Sequence, residues 1–205
     1  MRSGRFRIVS YLSGLAVMVL FTGFPVFGQT TWTVTNLNDI GAGSLSDAIA
    51  NAKSGDTINF SVSGYILPRS GLQITQNLTI KGPGASSLTI DGPHSEVFEI
   101  GSAFVTSTVT ISGLTIGGPN STGGISNNNH GTVTVINSTI SGNSGGGGSI
   151  GSIGGGGIYN DGTLTVTNST ISGNFSSNTF GVFGRRRRHF PRLRQCSLQK
   201  FHPGE

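Results

Sequence analysis

Asp91, His94, Glu96 and Glu99 fall within nine residues, and Lys81 and Arg69 stand upstream as the only cations besides Lys53 between Gln29 and Gly184. Carboxylates at this spacing beside a basic residue have the types needed for paired acid and base work, one group giving a proton while the other takes one. Asp91, Glu96 and Glu99 are therefore the candidate catalytic residues. The plainer reading is a solvated loop after Leu88-Thr89-Ile90, and it is the preferred one. His130 sits alone in a polar loop and is read in the same way.

The glycine-rich stretch from Ser144 to Gly157, SGGGGSIGSIGGGG, carries no Gly-Lys-Ser/Thr for a phosphate loop and no aspartates for a calcium-binding nonapeptide repeat. It reads as a loop bulging from a corner of the fold, where binding variation resides. No cofactor and no metal site is expected.

The elements that carry these residues come from a sentence written twice. GTVTVINSTISGN (131–143) and GTLTVTNSTISGN (162–174) match at eleven of thirteen positions, 31 residues apart. A period of this size marks a unit that cannot bury its own apolar face and stacks on a neighbour. Val133 and Val135, or Leu164 and Val166, alternate with threonine as in a strand with one wet face. A second short strand carries Ile140 or Ile171, and Asn137 or Asn168 makes the corner, being tolerant of left-handed backbone. VTISGLTIGG (109–118) aligns 24 residues upstream with Gly113 at the asparagine position, and Leu78-Thr79-Ile80 and Leu88-Thr89-Ile90 bracket Gly82. The expected fold is all-β: a single-stranded right-handed parallel β-helix of about five to seven coils, rising about 4.8 Å per turn. Apolar residues stack inside, threonines stand outside, and Asn137 and Asn168 pile into an amide ladder. With 10% charged residues and 34 glycines, the chain lacks the material for a helical bundle or a doubly wound fold.

Met1 to Thr30 looks like a secretory signal and its cleavage region: Arg2, Arg5 and Arg7, an apolar run from Leu12 to Phe21, and Val26-Phe27-Gly28 after Pro25. Ser13, Gly14, Gly23 and Pro25 interrupt it as a membrane anchor. The expected organisation is a signal peptide (1–28), an N-terminal cap of strand and helix (29–64), β-helix coils (65–178) and a basic tail (179–205) expected to be disordered. In the cap, Ser44 is the N-cap of a short helix from Leu45 to Ala52, with Asp47 three residues on. Leu45, Ala48, Ile49 and Ala52 form its apolar stripe, which covers the open end of the coil. Residues 29–184 hold no cysteine and no second membrane span, so stacked strands alone hold an exported body together. The formal charge of +5 divides into +3 in the signal, −4 in residues 29–184 and +6 in the last 21 residues. The mildly acidic body excludes a nucleic-acid partner. Six Asn-x-Ser/Thr sequons, at Asn59, Asn77, Asn120, Asn137, Asn168 and Asn174, could accept glycans in a eukaryotic secretory protein, but the corner role is the more economical reading of Asn137 and Asn168.

TVTNLNDIGAGSLSDAIANAKSGDTINF, NLTIKGPGASSLTIDG and the GGI-then-LTVTNSTISGN copies, over about Thr31 to Asn174, resemble bacterial exported proteins of the right-handed parallel β-helix type with pectate-lyase-like coils. Polymorphic outer-membrane proteins are related, their GGAI and FxxN motifs being approximated by Gly123-Gly124-Ile125, Gly156-Gly157-Ile158 and Phe175-Ser176-Ser177-Asn178; GGIS and GGIY depart from GGAI. Members of the fold that cleave acidic polysaccharides present outward carboxylates with a basic residue, which is the activity the resemblance would assign to Asp91, Glu96 and Glu99. Composition instead favours a secreted or cell-surface, outer-membrane-associated adhesin: a monomer that binds polysaccharides or a host or cell surface without catalysis. A divergent or truncated polysaccharide lyase or glycoside hydrolase is the alternative.

After Gly184 the expected glycine-rich loop is replaced by Arg185-Arg186-Arg187-Arg188-His189-Phe190. Four CGG codons followed by CAT and TTC, read one nucleotide later, encode Gly-Gly-Gly-Gly-Ile-Ser, the GGIS of Gly123 to Ser126. In the same frame Lys200-Phe201-His202 can encode Asn-Ser-Thr. The tail is accordingly read as the product of a shifted reading frame, its rival being a basic arm for nucleic acid or anionic lipid. The nucleotide sequence decides between them: a shifted frame without Gly-Gly-Ile and Asn-Ser-Thr repeats returns the tail to a functional reading.

Overall fold

A computed structural model describes residues 28–92, 95–146 and 156–177; the signal segment, His94, most of the glycine-rich stretch and the basic tail lie outside them. In chain order the elements are β1 (Thr31–Val34), α1 (Leu45–Asn51), β2 (Thr57–Phe60), β3 (Gly64–Ile66), β4 (Leu72–Ile74), β5 (Leu78–Lys81), β6 (Leu88–Ile90), β7 (Glu96–Ile100) and β8 (Thr108–Ser112). They continue as β9 (Thr115–Ile116), β10 (Gly123–Asn127), β11 (Thr132–Ile136), β12 (Thr139–Ser141), β13 (Ser144–Gly146), β14 (Ile158–Asn160), β15 (Thr163–Thr167), β16 (Thr170–Ser172) and β17 (Phe175–Ser177).

Every strand pair among the described residues is parallel. The first sheet orders β1-β2-β5-β8-β11-β15, the second β3-β6-β9-β12-β16 and the third β4-β7-β10-β14, while β13 pairs with β17. The chain therefore visits first, second and third sheet in a fixed rotation and returns one strand further along each time. This is the stacked, solenoid-like all-β arrangement that the repeat calls for.

The period-two alternation explains why. In the first sheet Ile58, Ile80, Ile111 and Val135 share one inward register column and all are 0% exposed. In the second sheet Ile66, Ile90, Ile116 and Ile140 share a second buried inward column, with Ile171 next in line. Phe98 and Ile125 face inward from the third. A fully buried aliphatic side chain contributes roughly 1.5–3 kcal/mol, and here each rung adds several to one continuous core.

The turn from the first sheet to the second is left-handed in three successive rungs: Gly113 at φ +64°, Asn137 at +50° and Asn168 at +48°. Flanking pairs Ile136↔Thr167 and Thr139↔Thr170 hold the two asparagines in register. Their side chains are exposed, however, and the amide ladder forms elsewhere. Asn143 Nδ2 donates to Asn174 Oδ1 (2.8 Å) and Asn127 Nδ2 to Asn160 Oδ1 (2.6 Å). The reason is direction: a left-handed corner turns its side chain outward, whereas Asn127 and Asn143 point into the stack, where polar atoms must find partners. Asn174 Nδ2 also reaches Ile140 O at 2.8 Å.

The helix closes one end of the stack. Ser44 Oγ accepts from the Asp47 amide at 3.1 Å, and Leu45, Ala48 and Ile49 are buried. Gln76 Nε2, from below, donates to Ile49 O (2.6 Å) and Ala52 O (3.3 Å), satisfying carbonyls at the helix C-terminus that have no partner within the helix.

Candidate functional site

Residues close in sequence around β5, β6 and β7 are dispersed in space because each short strand ends at a corner. Lys81 closes β5 and lies in the first sheet, paired with Asn59 and Ser112. Asp91 follows β6 of the second sheet, and Glu96 and Glu99 are on β7 of the third. Arg69 is engaged by Asp39, through its amide at 2.9 Å and its Nε at 3.7 Å. Lys81 thus belongs to a different sheet from Glu96 and Glu99.

Asp91 is 5% exposed. Its Oδ1 accepts from Ser121 Oγ at 2.7 Å and its Oδ2 from Asn120 Nδ2 at 3.2 Å, while Ser121 Oγ in turn accepts from the Gly92 amide at 2.8 Å. Both carboxylate oxygens are committed to holding one rung against the next. Those bonds give Asp91 a structural role in the stack.

Glu99 lies on β7 and is half-buried. It projects from the third sheet in a register column with Gln73, Ser126 and Tyr159. A Cβ on Gly71 would collide with its carboxylate, so the absence of a side chain there is what lets Glu99 lie down on the sheet. Burial pushes its pKa above the ordinary glutamate value, and the charge of Glu96 pushes the same way. Glu96 shares β7 and pairs with Gly123. No group of three or more His, Cys, Asp or Glu side chains suited to a metal ion occurs among the described residues.

His130 does not stand alone. It takes a left-handed backbone at φ +58°, its amide donates to Asp161 O at 2.8 Å, and its Nδ1 approaches Asp161 Oδ1 at 4.0 Å on the neighbouring rung. Sequence reasoning passed over Asp56, the most fully bonded carboxylate of the described residues. It accepts from the amides of Lys53 (2.8 Å) and Thr30 (2.8 Å) and from Trp32 Nε1 (3.0 Å). Those bonds, that from Lys53 first, hold its carboxyl below the usual carboxylate range. The Asp sits immediately before a strand and within reach of the only tryptophan, which was the available signal.

No described helix is long and apolar enough to cross a membrane. Comparison with protein-family models, curated proteins and solved structures finds no match to this chain.

Proposed function

We propose that the chain is an exported bacterial right-handed parallel β-helix of the pectate-lyase-like kind, acting at the cell surface or outside the cell as a binding module for glycans, without turnover. The observation that carries this reading is the commitment of both Asp91 oxygens to Ser121 and Asn120. Asp91 is inside the scaffold and Arg69 is paired with Asp39, which leaves Glu96 and Glu99 as the carboxylates of the third sheet. What the third sheet offers a sugar is Gln73, Glu99 and Tyr159 in one register row: an amide and a carboxylate for hydrogen bonds, and a ring for stacking. Purified protein should be retained on an immobilised glycan array, with retention lost in Tyr159→Ala. No binding above background across acidic and neutral polysaccharides would end the proposal.

One observation favours the second reading, a divergent lyase or hydrolase. Burial raises the pKa of Glu99, the direction a general acid needs, and Glu96 stands on the same strand. Release of unsaturated or reducing sugars from pectin or alginate, abolished in Glu99→Gln, would put that reading first.

A further inference from the structure

We propose that the outer face of the first sheet is an ice-binding surface. Thr31, Thr57, Thr79, Thr110, Thr134 and Thr165 occupy one register column that runs the length of the sheet. Two residues along the strands, Thr108, Thr132 and Thr163 form a second column beside it. Strand spacing sets one repeat of this array at about 4.8 Å, and two residues of strand set the other at roughly 6.7 Å. Nine hydroxyls thus stand on a two-dimensional grid. Among the described residues none of them hydrogen-bonds to the protein, so their donors and acceptors are offered outward. The side chains are stiff at χ1, which holds the grid in place without further support.

The chemistry of the face selects its partner. Neither column contains a charged residue or an aromatic; Lys81 lies in the flanking column with Asn59 and Ser112, and Glu96 and Glu99 belong to the third sheet. A charged partner finds no counter-charge here, and a crystalline sugar finds no ring to stack on. A neutral lattice of water, whose oxygens each donate and accept, needs neither. Both repeats of the threonine grid lie within about a tenth of the oxygen repeats on a prism face of ice, so waters bonded to successive hydroxyls fall near lattice positions. The second sheet is the internal contrast. Its outward column starts with exposed Tyr65, and the Thr115 hydroxyl is taken by Ala85 O at 2.6 Å.

This inference is independent of glycan binding by the third sheet. The test is ice-affinity partitioning of the fluorescently labelled full chain, with thermal hysteresis measured on the same material. Wild type and Thr139→Lys, altered on the second sheet, should concentrate in a slowly grown ice front; Thr134→Lys should stay in the liquid with its circular dichroism and Tm unchanged. Thr110→Lys repeats the test on the neighbouring rung should Thr134→Lys fold poorly. Wild type left in the liquid overturns the proposal, as does equal loss in Thr139→Lys. Adsorption to crystalline cellulose or chitin that Thr134→Lys abolishes, without ice partitioning, overturns it too and gives the face to a sugar lattice.

Discussion

Asp56 and Glu99 titrate in opposite senses, and the difference is one of partners. Three donors stabilise the charged form of Asp56, so its folded pKa lies below its unfolded one. Its contribution is full at neutral pH and is lost as pH falls below about 4 and through the folded value. Asp56→Asn should therefore lower Tm at pH 7 and have a diminishing effect on acidification. Glu99 is the reverse case: with a folded pKa above the unfolded value, its ionisation costs stability as pH rises through that interval. Glu99→Gln should raise Tm at pH 7 and leave it unchanged at pH 3; thermal melts at both pH values check the pair. The sequence showed these carboxylates but not their surroundings. Asp91 and Glu99 look alike in a string of letters, and only the corner after β6 decides that one points at Ser121 and the other lies over Gly71.

At the scale of the element, the strands were the most legible part, because Thr-Val-Thr-Val admits one period and each copy repeats it. The helix was equally plain: Leu45–Asn51 follows a Ser44 cap, and Ser44→Ala should cost about 1 kcal/mol, read as a lower midpoint in urea. Position in the stack was not legible. Ile140 and Ile171 are the same residue in identical motifs, but Ile140 is 0% exposed while Ile171 is only partly buried in the last described rung. Ile140→Asp should accordingly cost several kcal/mol and disrupt folding, whereas Ile171→Asp should be tolerated with a small loss. The amide ladder follows the same logic. Asn174→Ala removes the acceptor of the buried Asn143 amide and should cost about 1–3 kcal/mol, measured by chemical denaturation. The identical sequons at Asn137 and Asn168 concealed this, since periodicity predicts which residues align but not which of them turn inward.

The whole molecule is bound along one direction. Backbone hydrogen bonds between parallel rungs run with the stacking axis, and each rung touches only its neighbours. Tension applied along that axis therefore loads a single rung at a time, as in peeling tape, while the rest of the stack stays unstressed. Pulled between its ends in an optical trap, the protein should give way in a sawtooth at low force. Each tooth should release the contour of one turn, 22 to 31 residues of chain or about 70–110 Å. For anything tethered by such a coil, the fold is a reel that pays out slack in fixed increments instead of a bar that snaps.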